Sequence, residues 1–228
     1  MGRLIQNAAL RNRPYVFKDR TDAGRLLAAS LRDHASSGAL VLAIPAGGVP
    51  VAYEAAINLR LGMDVLIVRK VQIPGNTEAG FGAVGPDGEV IFNDMLLRQL
   101  RLSDKEIGRQ VENTKKVIEA RNEAYRKGRP FPDLKEKTVI LVDDGLASGY
   151  TMSAAIRFVK KKNAGKIIVA VPTAPERSIN LLLPEVDELH CLNVRGYPFA
   201  VAEAYLQWHD LTDEEVISIL EKSPWCHA

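Results

Sequence analysis

The sequence has 228 residues, 46 % hydrophobic and 25 % charged, the balance of a globular chain that buries a core without disulfide or metal staples. Its 30 basic and 28 acidic residues leave a formal net charge of +2, too even to point to nucleic acid as a partner. No run approaches the ~18 consecutive apolar residues of a membrane span and no apolar signal core opens the chain. Cys191 and Cys226 stand outside any CxxC pair or zinc-ligand spacing. A cytoplasmic protein with no nucleic-acid or membrane partner is therefore expected.

Residues 1–18 lack clear periodicity and are set apart as an extension from a single domain over 19–228. Thr21 is the predicted N-cap of a helix over 21–36, with Leu26, Leu27 and Leu31 on one face. An apolar run over 39–44 predicts a strand that meets a turn at 45–48, and 50–61 reads as helix. A second apolar run covers 64–68 and ends at Arg69-Lys70. Residues 71–92 hold clustered glycines and prolines and read as a long loop with a hairpin. Ser103 with Glu106 forms a capping box for a helix to about 126. Strands follow over 138–142, 166–171 and 186–194, separated by a helix over 150–162 and a short one opened by Pro175. The run Lys160-Lys161-Lys162 reads as a solvated helix face. Thr212 with Glu215 opens a last capped helix.

Short apolar strands alternating with helices predict an α/β fold: an open, mostly parallel five-stranded sheet with helices on both faces. In order of appearance the strands are predicted to lie as 2-1-3-4-5. The switch point then falls between the strands over 39–44 and 138–142, where ligands of such sheets bind.

The segment after the strand at 138–142 carries the chemistry. It reads Asp143-Asp144-Gly145-Leu146-Ala147-Ser148-Gly149-Tyr150-Thr151. Two carboxylates close a strand, a turn of small residues follows, and a helix starts with hydroxyls in its first turn. Amides at a helix start lack intrahelical partners and attract anions, while carboxylates accept hydrogen bonds from sugar hydroxyls. The combination suits a sugar phosphate. Two adjacent acids at a buried strand end need a polar partner. A second strand-to-helix turn, Pro45-Ala46-Gly47-Gly48-Val49-Pro50, has related glycine chemistry.

On these residues the sequence resembles the type I phosphoribosyltransferase family, whose loop joins two acids to a Ser/Thr-Gly-x-Thr turn. The resemblance implies that Asp143 and Asp144 hold the ribose of 5-phosphoribosyl-1-pyrophosphate. It assigns the 5-phosphate to Ala147, Ser148, Gly149, Tyr150 and Thr151, and the pyrophosphate to Ala46, Gly47 and Gly48. Arg69 and Lys70 would stabilise charge on the leaving group. Residues 71–92 would act as a flexible flap that excludes water, and a C-terminal hood would run from about 194 to 228. With Phe17-Lys18-Asp19-Arg20 and Pro74-Gly75-Asn76, the pattern looks like a group of phosphoribosyltransferases of unassigned acceptor.

The implied reaction displaces pyrophosphate with a nitrogen nucleophile, a nucleobase or related heterocycle. Mg2+ is the implied cofactor, held largely through substrate and water. A homodimer is the expected assembly. Two positions depart from relatives: Ala46 where many carry a basic residue, and Ala147 where some purine-specific members carry a carboxylate. Glu78 is the substitute proposed for the proton-transfer role. Tyr197, Phe199, Tyr205 and Trp208 are aromatics that could stack on a flat base. A serine hydrolase is disfavoured because Ser148 falls one place late for G-x-S-x-G. A non-catalytic sensor of the same phosphoribosyl donor remains the alternative.

Overall fold

Alternating side chains of strands four to ten residues long sort onto two faces and build the main sheet. The computed structural model describes residues 2–196 and 199–225, with backbone only at 77 and 78. In chain order the elements begin with β1 (Arg3–Gln6), α1 (Arg20–Ser30), β2 (Leu40–Ala43), α2 (Gly48–Leu59) and β3 (Gly62–Val65). There follow β4 (Arg69–Ile73), β5 (Asn76–Val84), β6 (Val90–Phe92), α3 (Asp94–Leu100) and α4 (Asp104–Arg126). The remainder is β7 (Thr138–Val142), α5 (Tyr150–Lys161), β8 (Lys166–Pro175), α6 (Glu176–Leu182), β9 (Glu188–Arg195) and α7 (Asp213–Leu220).

The main sheet has the order β1-β9-β8-β7-β2-β3 and every neighbouring pair is parallel. The predicted order of five strands is present, and β1 adds a sixth at the edge beside β9. Residues 1–18 are thus partly sheet. Along β2, Val41 and Ala43 pack with α1, α2 and α7, while Leu40 and Leu42 pack with α5 and α6. The same alternation runs through β7 and β8, so the sheet separates two apolar layers.

Three local readings change. Asp19, not Thr21, caps α1, its carboxylate accepting from the Asp22 amide at 2.8 Å. Arg69 and Lys70 do not end the second strand. The main sheet is left after Val65, and these two residues open a separate antiparallel sheet of order β4-β5-β6. That sheet is the predicted flap region, with three strands instead of a hairpin. Pro175 is the last residue of β8 and the N-cap of α6 rather than its first helical position. The capping boxes at Ser103 and Thr212 form as read, each with both reciprocal hydrogen bonds.

Candidate active site

At the carboxyl end of β7 the chain passes through Asp143 and Asp144 and turns into α5. Gly149 has φ +84°, a conformation that disfavours any residue with a Cβ, and no side chain caps the helix it opens. The first amides of α5 are therefore left for a ligand. The turn is held from elsewhere in the chain. The Leu146 amide donates to the Thr173 carbonyl at 3.0 Å, and the Ser178 hydroxyl donates to the Ala147 carbonyl at 2.7 Å. A Cβ on Gly145 would lie 2.5 Å from the Val201 side chain, so packing alone already holds that position to glycine. A cleft of about 390 Å³ opens over this turn, and Lys70, Asp143, Ser148, Gly149, Thr151 and Arg177 are among its lining residues.

The two acids occupy different surroundings. Asp144 is buried, and its Oδ2 accepts from Arg20 Nε at 2.8 Å. Arg20 also donates to the His209 carbonyl at 2.9 Å and lies 3.9 Å over the Trp208 ring. The Tyr205 hydroxyl donates to the Asp144 carbonyl at 2.5 Å. Asp143 lines the cleft and has no ion-pair partner among the described residues. Burial and the neighbouring charge of Asp144 push its pKa well above the usual carboxylate value. Burial also raises Asp144, with Arg20 opposing it. Of the pair, only Asp144 has Arg20 as a hydrogen-bonded ion partner, and Asp143 is the one pushed well up by burial and by its neighbour's charge. Such a strand-end pair beside an open helix start can hold a diol and a phosphate together.

A phosphoribosyl transferase domain model matches residues 18–202. The chain belongs to the phosphoribosyl transferase family. Proteins of two Mycobacterium tuberculosis strains, CDC 1551 and H37Rv, provisionally named as phosphoribosyl transferases, are 36 % identical over 209 residues. The match covers 91 % of this chain and 47 % of theirs, so the chain spans about half the length of these curated relatives. A crystal structure of the Thermus thermophilus protein TT1426 superposes with a TM-score of 0.73 at 38 % identity, covering 91 % of this chain and 98 % of that one. A 41-residue stretch is 46 % identical to part of the transcriptional regulator GfcR of Methanosphaera stadtmanae, 18 % of this chain and 21 % of that protein.

Against this phosphoribosyl transferase background, the residues singled out in the sequence divide. Lys70, Asp143, Ala147, Ser148, Gly149, Tyr150 and Thr151 share the one cleft. Arg69 does not line it; half-buried, it has its pKa lowered by burial and by Arg121, near Asp213 and Tyr125. Adjacent residues of a strand face opposite ways, so only one of the two cations lines the cleft. Ala46, Gly47 and Gly48 also lie outside that lining, and the two glycines close over the acids. A Cβ on Gly47 would fall 1.9 Å from the Asp144 carboxylate, and one on Gly48 would fall 2.9 Å from the Asp143 Cα. Both glycines are thus required for the two loops to touch. The Glu78 side chain and Tyr197 lie outside the described residues. Tyr205 is 1 % exposed and packs against Phe17 and Trp208, which removes it as a platform for a base.

Sequence reasoning gave no role to Arg20, Arg177 or Ser178. Arg20 stood inside a quoted pattern, and its proximity to Asp144 crosses 124 positions. Arg177 lines both the cleft over the start of α5 and a neighbouring cavity of about 210 Å³ beside Arg195 and Phe199. A cavity of about 450 Å³ on the α1–α7 side of Arg20 contains none of the predicted site residues.

Proposed function

We propose that this chain transfers the 5-phosphoribosyl group from 5-phosphoribosyl-1-pyrophosphate to a nitrogen of a nucleobase or related heterocycle, releasing pyrophosphate. The observation that carries the reading is one cleft that gathers Lys70, Asp143, the open start of α5, the hydroxyl residues Ser148 and Thr151, and Arg177. The 5-phosphate would take the amides from Ser148 to Thr151, with Arg177 adding charge. Asp143, once ionised, would accept from a ribose hydroxyl. Lys70 would hold the pyrophosphate together with the backbone of Ala46, Gly47 and Gly48.

In the reaction the acceptor nitrogen's lone pair forms the bond to ribose C1. The C1–oxygen bond breaks, and pyrophosphate leaves with that electron pair. The acceptor's N–H proton passes to a base, for which Glu78 is the proposed group. The cavity beside Phe199 and Arg195 is the proposed seat of the acceptor, since it adjoins the phosphate cleft through Arg177. A hard cation fits here because Asp143 is a carboxylate on the cleft without a paired cation among the described residues. Mg2+ would neutralise charge on the leaving group. The transferase unit is taken as residues 19–228, with flap 71–92 and hood from about 194. A cytoplasmic homodimer is the proposed setting; among the described residues no helix is long and apolar enough to cross a membrane.

The test is calorimetric titration of the donor with and without Mg2+, followed by a screen of bases for pyrophosphate release. Magnesium-dependent binding with base-dependent release is expected. Absence of binding in both conditions would remove the reading. A second reading, a donor-binding regulator without turnover, is favoured by Ala46, Ala147 and the short match to a transcriptional regulator. Tight donor binding with no release from any base would select it.

A further inference from the structure

We propose that His34, Glu188 and His190 form a binding site for a zinc-type dication at the amino end of the sheet, opposite the phosphate cleft. His34 ends a short 3-10 turn (Arg32–His34) that follows α1, and Glu188 and His190 are the first and third residues of β9. Residues two apart on a strand share a face. The ligand atoms of the three side chains all lie within 4.8 Å of one another.

The geometry converges on one oxygen. Glu188 Oε2 lies 3.0 Å from His34 Nε2 and 3.2 Å from His190 Nε2. A tetrahedral ion with bonds of about 2.0–2.1 Å sets its ligand atoms roughly 3.3 Å apart, close to these separations. The side chains are only 14 %, 17 % and 5 % exposed for His34, Glu188 and His190, so they are held by packing rather than free in solvent. The other oxygen of Glu188 is taken by Lys166 Nζ at 2.9 Å, which leaves Oε2 as a monodentate ligand.

His190 also has the outer partner that metal-bound imidazoles have. The Ser30 hydroxyl lies 2.8 Å from its Nδ1. When that hydroxyl accepts from Nδ1–H, Nε2 presents its lone pair to the carboxylate oxygen. Two lone pairs at that distance repel, and a cation between them removes the conflict. Two imidazoles and one carboxylate are ligands that zinc accepts, with water completing the fourth position. The ion would fasten the far end of α1, whose opposite end supplies Arg20 to Asp144. His34 stands 154 positions from Glu188, which is why no short spacing in the sequence announces the site.

The experiment uses full-length protein stripped with a chelator and titrated with zinc chloride by calorimetry. A single equivalent should bind with micromolar or tighter affinity. The melting temperature should rise by about 5–10 °C at a hundredfold excess over Kd. His34→Asn and His190→Gln should each weaken uptake by about 100-fold, while Asp143→Asn, in the phosphate cleft, should keep it. His34 sits on a surface turn, so its variant keeps the test open if His190→Gln does not fold. No uptake by the folded wild type overturns the proposal: the cluster is then a hydrogen-bonded one. Uptake that survives His34→Asn, or that Asp143→Asn abolishes, also overturns it.

Discussion

Two aspartates of this chain are buried against an arginine, and they are compensated to different extents. Asp64 accepts from Arg126 through both oxygens and from the Val65 amide at 2.6 Å, while Arg126 also donates to the carbonyls of Pro130 and Arg129. Both side chains of that pair are 3 % exposed. Asp144 meets Arg20 through a single nitrogen and has a second carboxylate, Asp143, as its chain neighbour. Burial raises the pKa at both places, but only at the second does a like charge add to it. A buried charge with all its hydrogen bonds answered inside the protein has nothing left to offer a ligand. The acidic pair at 143–144 has carboxylate capacity beyond what Arg20 uses, and that surplus faces the cleft.

The largest effect is expected where compensation is complete. Asp64→Ala leaves Arg126 charged and buried without its partner, a loss of about 3–5 kcal/mol in unfolding free energy. Urea denaturation followed by circular dichroism measures it. A loss below about 1 kcal/mol would mean that water reaches Arg126, and the contrast between the two pairs would fail.

Asp143→Asn tests the other side. It should weaken donor binding by about 1.5–3 kcal/mol, the usual scale of a hydrogen bond to a charged group, without lowering stability. A carboxyl whose pKa is raised in the folded state costs stability when ionised. That cost is present above the folded pKa and vanishes below the unfolded one, near 4. The variant should therefore melt higher than wild type at neutral pH, and the gain should fade on acidification towards pH 4. Donor binding to wild type needs the ionised form, so it should release a proton that Asp143→Asn does not. Calorimetry in buffers of different ionisation enthalpy reads that difference. A variant that melts lower at neutral pH would show that Asp143 is already compensated.

Much of this architecture was legible because interior parallel strands are continuous apolar runs bounded by turns. That signal is strong at 138–142 and 166–171 and absent at β1, where Arg3 and Gln6 flank only two apolar residues. Asn93 caps α3, but its seven residues include no fully buried position and so no clear stripe. The run over 64–68 flowed into Arg69-Lys70 and concealed that the sheet is left after Val65. The turn over 143–151 was readable as a candidate site because its acids, glycines and hydroxyls are contiguous. Arg20, Arg177 and Ser178 reach it through the fold, over distances that no local pattern encodes. The different positions of Arg69 and Lys70 follow from strand alternation once β4 is known to begin at Arg69.

The smallest effect probes what holds Arg20 in place. Its guanidinium lies 3.9 Å over Trp208, which itself packs on Tyr205 at 5.2 Å between centroids. If the carboxylate of Asp144 is the main anchor, the aromatic face adds only the increment of a cation–π contact, about 0.5–2 kcal/mol. Trp208→Leu keeps apolar bulk against Tyr205 and removes the π face. Its cost in urea unfolding should stay well under that of Asp64→Ala, and its donor affinity should fall less than that of Asp143→Asn. A cost equal to that of Asp64→Ala would mean that the stack, not the ion pair, positions Arg20. The charge on Asp144 would then be poorly compensated by Arg20.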